Sequence, residues 1–464
     1  MSNDMTQTPW SRYVTRYADF GDSRLKTRFV TIVEALVTHP TLSLPEALGT
    51  DRDLDAYYDF LGNRRITAAK FLQVAQDDVR ARLREDQLIV AIHDTSEFNY
   101  HTRPKTRGLG PLSNPRVQGL HVHSTLAVTA NGLPLGPVHL ECWARAAEKV
   151  GAPRQRALAD KESARWLRGM AAVDALVSTP VVHIADREAD ICDLLLAPRP
   201  AQHELLIRAQ YDRRAISATS ESSHVYAAAT EAPEIGGQYV TVQRHPDQPS
   251  RLAKIRLQVT CVQLQRPRHV PADRPAQTPW LTLVQAIEVA PPAGVRPVHW
   301  LLLTTLAVPD LAAAAQIVAW YRLRWLIERY HGILKSGLRQ EDLQLRTADS
   351  LHKALTLNAL VAARLLWLTY AARLLPDAPC TLAFTTREWQ TVYIATQSTP
   401  LPTTPPTLAE AVHHLGVLGG HRPWPSAGPP GMIVIWRGWR TLQAMVTYSA
   451  RLAAHPWSLD RTGT

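Results

Sequence analysis

Two aspartates stand where a buried strand is expected to end, a position suited to chemistry. Asp94 closes the apolar run QLIVAIHD (87–94), and Asp186 closes PVVHIAD (180–186). Apolar runs of this length ending in an acid are typical of buried strands. Ligands of open α/β sheets bind at the carboxyl ends of the strands. If the two strands are neighbours, the aspartates lie side by side, and their repulsion requires a cation or a shared proton.

A third carboxylate belongs to a narrow polar stripe on a predicted helix over residues 310–336, with Asp310 as its N-cap and Gly337 as its end. At about 100° per residue, four polar residues share an arc of about 60°, opposite a broad apolar face. They are Tyr321, Arg324, Glu328 and Lys335. The plainer interpretation is a solvated stripe with an Arg324–Glu328 pair.

Three carboxylates from separate elements suit Mg²⁺ or Mn²⁺, which take oxygen ligands and keep room for phosphate oxygens. Two such ions about 3.5 to 4 Å apart activate a hydroxyl and stabilise the leaving oxygen of a phosphodiester. The neighbouring Arg324, Lys335 and Tyr321 can hold backbone phosphates. Taken alone, Asp94 or Asp186 fits a strand-end turn or a helix cap equally well. It is their combination with Glu328 that favours chemistry.

Composition narrows the class of protein. The chain has 464 residues, a net charge of +10 and a pI near 9.6. The excess of basic residues favours a polyanionic partner. We found no run of 18 apolar residues and no signal peptide, so we expect no membrane partner. The four cysteines form no CxxC pair, which makes a cysteine-based zinc site improbable and favours a reducing cytosol.

The order of elements predicts an α/β fold with three parts. Residues 1–70 read as a helical unit, 71–375 as a core of strands and helices, and 376–464 as a helical tail. Within the core, 211–305 reads as an all-β insertion. Three successive strands followed by alternating strands and helices predict a mixed sheet with helices on its faces. That order matches a ribonuclease H-like core.

The motifs then become specific. The spacing Y-x2-R-x3-E-x6-K of Tyr321, Arg324, Glu328 and Lys335 resembles the signature of bacterial DDE transposases of the IS-four class. The segments DREADI (186–191) and HDTSEFNY (93–100) resemble those that carry the family's two catalytic aspartates. Further similar stretches occur in the corresponding order at 20–28, 161–167, 299–304 and 436–443, so the resemblance covers essentially the full length.

The resemblance implies a cut-and-paste DNA transposase whose Asp94, Asp186 and Glu328 are both catalytic and metal-binding, with two Mg²⁺ ions that Mn²⁺ can replace. Carried over by position, Tyr321, Arg324, Lys335 and Arg208 would grip phosphates, and Trp300 would stack on a flipped base. Domain 1–70 would bind the inverted-repeat ends of the transposon, and 376–464 would form a homodimer in the synaptic complex. The partners are those ends and target DNA, in a bacterial cytoplasm at the nucleoid.

Two alternatives belong to other classes. A DNA-binding relative without catalysis predicts paired-end complexes but no metal-dependent nicking. A standalone nuclease on the same fold predicts nicks without strand transfer.

Overall fold

A mixed β-sheet runs through the middle of the protein. The computed structural model describes residues 14–454 except 41, 147–160, 222, 243–249, 269, 271–273 and 423–427. In these residues the sheet has eleven strands. They are β1 (Ile89–Asn99), β2 (Gly110–Pro111), β3 (Gln118–Thr129), β4 (Pro134–Trp143), β5 (Val181–Ala185), β6 (His203–Arg208), β7 (Ala215–Ser217), β8 (Glu234–Val242), β9 (Arg251–Leu264), β10 (Leu281–Glu288) and β11 (His299–Thr304).

One half of this sheet has the ribonuclease H-like arrangement that the element order predicts. Strands β1, β3 and β4 are antiparallel neighbours, and β1, β5 and β6 are parallel neighbours. The β3–β4 hairpin turns at Asn131-Gly132, where Gly132 takes a φ of 92° that suits glycine. The predicted α/β class with this core is confirmed.

The insertion at 211–305 extends the same sheet. Strand β11 pairs antiparallel with β6, and β10 and β9 follow outward. The segment is mainly β, but Val225–Glu231 forms a short helix, so the expectation of an all-β insertion was incomplete. Alanine has the highest helix propensity, and Ala228 and Ala229 of this helix are buried against the sheet.

Helices cover both faces of the sheet and form both ends of the part of the chain that the structure describes. They are α1 (Ser23–Thr38), α2 (Leu44–Leu48), α3 (Asp51–Gly62), α4 (Ala68–Arg82), α5 (Ala164–Leu176), α6 (Cys192–Leu195), α7 (Val225–Glu231), α8 (Leu311–Leu323), α9 (Trp325–Gly332), α10 (Ala348–Leu374), α11 (Thr386–Thr396), α12 (Leu408–Leu418) and α13 (Met432–Ala454). The predicted domain boundary at residue 70 falls inside α4, which packs against β4 and α10.

Helix α10 is the long central helix of the core. By length and composition alone it could cross a membrane, but 89% of its most apolar window is buried inside the protein. A helix that is apolar on all sides suits a protein interior as well as a membrane. Polar residues such as Asn358 and Arg364 interrupt its sequence, so it contains no unbroken apolar run of 18 residues.

The predicted helix over 310–336 is broken. Asp310 caps it as expected, accepting a 2.8 Å hydrogen bond from the Ala313 backbone. However, α8 ends at Leu323, α9 begins at Trp325, and a π-helical turn over Ile333–Gly337 follows. Since α8 packs on β8, β9 and β10 while α9 packs on β1, β3 and α10, the two halves follow different parts of the twisted sheet.

The two faces of the sheet carry different partners. On one face Ala91 and Val181 pack against α5. On the other, Ile92 and Ile184 share a core with Ile327 of α9. Because side chains alternate along a strand, Asp94 lies on the α9 face, and His93 and His183 lie on the α5 face.

Candidate active site

The strand register brings the two aspartates together. The parallel β1–β5 ladder ends at Ile92 opposite Ile184, and two residues further along each strand are Asp94 and Asp186. The prediction that Asp94 ends its strand was wrong, because pairing with β3 continues β1 as far as Asn99. What ends near Asp94 is the parallel pairing with β5. The carboxylates therefore lie at the point where β1 loses one neighbour.

The electrostatics of Asp186 reflect this crowding. Burial, and then the charge of Asp94, raise the pKa of Asp186 to about 6. Its Oδ1 also accepts a 2.9 Å hydrogen bond from the Glu188 backbone and caps the turn Arg187–Ala189. The cap that the sequence offered as an alternative is therefore present, and it fixes the carboxylate in place without satisfying its charge.

Glu328 of α9 faces the same carboxylates. Burial and the charge of Asp94 raise its pKa, while the ion pair with Arg324 works in the opposite direction. The oxygens of Asp94, Asp186 and Glu328 do not all lie within 4.8 Å of one another. Among the described residues, the one group of potential metal ligands with that spacing lies elsewhere in the protein. Glu328 accepts a hydrogen bond from Arg324, so a guanidinium is the cation that contacts it in this structure.

His331 is a neighbour of this group that the sequence analysis missed. Its Nδ1 lies 3.7 Å from Asp94 Oδ2, and its Nε2 lies 3.2 Å from the Ser124 hydroxyl. The signal was its spacing, since a residue three positions after Glu328 shares a helical face with it. His331 is 5% exposed, so it contacts Asp94 from the protein side rather than from solvent.

Basic and aromatic side chains border the carboxylates on the Asp186 side. The Trp300 and Tyr321 ring centroids are 5.7 Å apart, at an interplanar angle of 62°. Arg208 donates a 2.8 Å hydrogen bond to the His299 carbonyl, and burial lowers its pKa while nearby Tyr321 opposes that shift. Tyr321 is only 5% exposed, so it supports Arg208 and Trp300 from beneath. Trp300 is the second residue of β11.

Lys335 borders the opposite side. Its Nζ lies 5.4 Å from the centroid of the Phe98 ring on β1. Burial lowers the pKa of Lys335, and the carboxylates of Glu341, Glu97 and Asp94 oppose that change. The stripe predicted on one helix face is therefore divided, with Tyr321 near Asp186 and Lys335 near β1.

Arg165 connects the two segments that carry the aspartates. It lies in the family-like stretch 161–167, but no role was predicted for it. Its Nε donates to Thr95 Oγ1 at 2.8 Å, and its Nη2 donates to Glu188 Oε2 at 2.6 Å. Thr95 follows Asp94, and Glu188 lies in the turn after Asp186. Charge-assisted bonds of this kind to both strands fix the relative position of the two segments.

Two family models match the sequence of this chain. A sequence model described as "Transposase DNA-binding" matches residues 7–66, and one described as "Transposase DDE domain" matches residues 145–363. Together they match more than half of the chain. The protein therefore carries a transposase DNA-binding domain and a transposase DDE domain. It is a DDE transposase, an enzyme that cleaves and joins DNA strands. The DDE match includes Asp186 and Glu328 but begins after Asp94, whose place in the group rests on the strand register.

Among solved structures, the chain is similar to the piggyBac transposase in a cryo-EM structure of its synaptic complex with hairpin DNA. Sequence identity is 9%, the TM-score is 0.36, and the match covers 97% of this chain and 74% of that one. At this TM-score the similarity supports no conclusion about site or mechanism.

Removing the charge of Asp186 is expected to stabilise the metal-free protein in a pH-dependent way. Since its pKa is raised to about 6, the folded state binds a proton more tightly than the unfolded state. The free energy of unfolding therefore falls as the pH rises from about 4 to about 6. Asp186→Asn keeps the oxygen that caps the turn but has no carboxyl group to ionise. It should therefore be more stable than wild type by roughly 2 kcal/mol at pH 7.

Thermal unfolding in EDTA at pH 4, 5, 6 and 7 tests this expectation. The difference should shrink towards pH 4, where Asp186 is protonated in the folded protein. Asp59→Asn, at an exposed carboxylate of α3, is the control and should change little. Equal stability of wild type and Asp186→Asn at every pH would contradict the assigned crowding.

Proposed function

We propose that this enzyme is a cut-and-paste transposase of the IS-four class, closest to the Tn-five transposase, with Asp94, Asp186 and Glu328 as its catalytic residues. The observation that carries the proposal is the meeting of Asp94 and Asp186 at the end of the parallel ladder, with Glu328 facing them. Burial and mutual charge raise the pKa of two of the three. Such perturbed groups in one place are characteristic of functional sites.

The donor set fits a divalent cation. All three side chains offer hard oxygen ligands, and the crowding that raises the pKa of Asp186 to about 6 is relieved when a positive charge lies between it and Asp94. We propose Mg²⁺, with two ions and with Mn²⁺ as a substitute. When bound, such ions lower the pKa of water and neutralise charge on the scissile phosphate.

The chain's own residues have separate tasks in this proposal. Asp94 and Asp186 hold fixed positions on the sheet, and Arg165 maintains their separation. Arg324, now paired with Glu328, becomes free for a DNA phosphate once Glu328 binds a cation. Arg208 and Lys335 supply positive charge on the two sides of the site.

The reaction proceeds on the DNA in stages. Water attacks the phosphodiester at the transposon end and releases a 3′-hydroxyl. This hydroxyl then attacks the opposite strand and gives a hairpin, which is opened before strand transfer into target DNA. Formation of so tight a hairpin requires a base to leave the stack, and Trp300, beside Tyr321, is the proposed platform for that base.

The other domains complete the assembly. Residues 1–70 would bind the transposon ends, in agreement with the DNA-binding family match at 7–66. Residues 376–464 would hold two copies together as a homodimer in the synaptic complex. We place the protein in the bacterial cytoplasm, at the nucleoid when it is bound to DNA.

A single assay distinguishes this proposal from its alternatives. Labelled DNA carrying the inverted repeats that border the coding region is incubated with the protein, Mg²⁺ and a target plasmid. Hairpinned ends followed by joined products support the cut-and-paste transposase. Paired-end complexes without nicking would instead indicate a DNA-binding relative, and nicks without hairpins or joining would indicate a nuclease.

Trp300→Ala is expected to reduce hairpin formation by roughly tenfold or more while first-strand nicking continues. Stacking of a base on an aromatic side chain contributes about 1–3 kcal/mol, and the hairpin step depends on the flipped base. Denaturing gels that resolve nicked from hairpinned ends measure the ratio.

Two variants control for loss of structure, because Trp300 also contacts Tyr321. Trp300→Phe retains a stacking face and should recover much of the hairpin yield. Trp280→Ala removes a tryptophan that is 51% exposed in the insertion and should behave as wild type. An unchanged hairpin-to-nick ratio in Trp300→Ala would exclude Trp300 as the platform.

A further inference from the structure

A group of metal-ligating side chains lies away from the three carboxylates. Asp174 of α5, His183 of β5 and His203 of β6 place their ligand atoms all within 4.8 Å of one another. Asp174 Oδ1 lies 3.2 Å from His183 Nε2 and 2.6 Å from His203 Nδ1. Strands β5 and β6 thus each place a histidine nitrogen against one carboxylate oxygen of α5.

This group lies across the sheet from the candidate active site. His183 belongs to the α5 face, whereas Asp94 and Glu328 belong to the α9 face. Both imidazoles are buried, with side chains 2% exposed, and Asp174 is the more open member at 18%. Asp174 is therefore the member of the group that solvent reaches most easily.

The surroundings of His183 suit a metal ligand. Burial lowers the pKa of His183, and only a neutral imidazole can coordinate a metal. Partial burial tends to raise the pKa of Asp174, but the hydrogen bonds from His183 and His203 outweigh it and lower that pKa. The carboxylate is therefore ionised at neutral pH.

The ring nitrogen of His183 that faces away from Asp174 also has a partner. His183 Nδ1 lies 3.0 Å from His93 Nε2, and His93 Nδ1 lies 2.9 Å from the Thr125 hydroxyl. If His183 donates from Nε2 to Asp174, then His93 donates to His183 and Thr125 donates to His93, so all three hydrogen bonds point towards Asp174. If His183 Nε2 instead binds a metal, Nδ1–H donates to His93, which donates to Thr125. A hydroxyl is both donor and acceptor, so every contact is satisfied in either direction.

We propose that Asp174, His183 and His203 bind one divalent transition-metal ion of the zinc class, which joins helix α5 to strands β5 and β6. Zinc takes nitrogen and carboxylate ligands at about 2.0–2.2 Å in tetrahedral geometry, which separates ligand atoms by roughly 3.3 Å. The 3.2 Å contact already matches this separation. The 2.6 Å contact must widen by about 0.7 Å.

The chemistry of the ligands separates this site from the proposed magnesium site. Imidazole nitrogen favours zinc-class ions, whereas Mg²⁺ favours oxygen. The outer contact from His183 to His93 supplies the hydrogen-bond partner that metal-bound histidines normally have. The charge of Arg199 acts on His183 and opposes a cation, but Arg199 is itself compensated by Glu204 and Asp174.

Metal binding to untagged full-length protein, in saturating Mg²⁺, tests the proposal without reference to catalysis. Titration with Zn²⁺ and with Co²⁺ should show one tight site per chain, with the visible absorption of tetrahedral Co²⁺. Asp174→Asn and His203→Gln should each raise the Kd by about 100-fold or more, because loss of a ligand exceeds the 10–100-fold effect of its outer partners. His101→Gln, at an exposed histidine, and Asp186→Asn should leave the Kd unchanged.

X-ray absorption on the zinc-loaded wild type provides a second measurement that needs no variant to fold. Outer-shell scattering from two imidazoles, with oxygen completing the first shell, is expected. The proposal is overturned if no tight site is found or if the spectrum shows no pair of imidazoles. It is also overturned if Asp174→Asn and His203→Gln bind the metal with the same Kd as wild type. A Kd that rises in Asp186→Asn would also overturn it, because the metal would then belong to the carboxylate site.

Discussion

Asp94→Asn, Asp186→Asn and Glu328→Gln are each expected to lower strand cleavage by at least about a thousandfold while leaving binding to the transposon ends within a fewfold of wild type. Each change keeps the shape of the side chain but removes the negative charge that a bound cation needs. DNA binding depends mainly on Arg and Lys contacts to phosphates, and these remain. Single-turnover cleavage and gel-shift titration on the same DNA measure the two effects.

The three variants also differ in a way that the structure specifies. Glu328→Gln breaks the ion pair that now holds Arg324, so it should tighten DNA binding slightly, whereas Asp186→Asn should not. Asp377→Asn, at an exposed carboxylate after α10, is the control for loss of charge alone. Cleavage near the wild-type rate in any of the three variants would remove that residue from the catalytic assignment.

Gly438→Ala is expected to destabilise the packing of α13 on α12 by about 3 kcal/mol or more. A Cβ at Gly438 would lie 1.8 Å from the Leu415 carbonyl oxygen, and one at Gly419 would lie 2.0 Å from the Val434 carbonyl oxygen. Both obstacles are backbone atoms, so no side-chain rotation relieves the overlap. The helices must separate, or α13 must shift.

The shift would reach the rest of the fold through Trp439, whose indole N–H donates a 3.0 Å hydrogen bond to the Val37 carbonyl. Amide hydrogen exchange is the suitable measurement, because it reports the local stability of each helix separately. Protection should fall in α12, α13 and the end of α1. Gly431→Ala, where nothing lies within 4 Å of the added Cβ, should retain protection. If Gly438→Ala kept it too, the close helix crossing would be wrong.

Local structural features were predicted correctly from the sequence. The Asp310 cap and the apolar face that includes Ile327 and Tyr330 each depend on a few neighbouring residues, and each is present. The ribonuclease H-like order also followed from the sequence, because three strands and then alternating units leave few ways to build one sheet.

Irregular backbone was harder to predict from the sequence. A template of 100° per residue assumes an unbroken helix, so it missed the break at Arg324 and the π-helical turn that carries Lys335. No glycine or proline lies at Arg324, and Gly332 and Gly337, which border the π-helical turn, indicate only where a helix could end. The break is favoured by α8 and α9 packing on separate parts of the sheet, and those contacts are formed by residues far away in the chain. For the same reason the extension of β1 past Asp94 depends on its partner β3.

The sequence by itself determined which residues have the types for metal-dependent DNA chemistry, since charge, donor atoms and local periodicity are properties of the residues and their spacing. Only the tertiary structure decided how they meet. The β1–β5 register places Asp94 beside Asp186, the turn of α9 brings Glu328 and His331 to them, and Arg165 joins the two strands. The convergence of Asp174, His183 and His203 was equally hidden, because long-range pairing positions them and no short motif contains them.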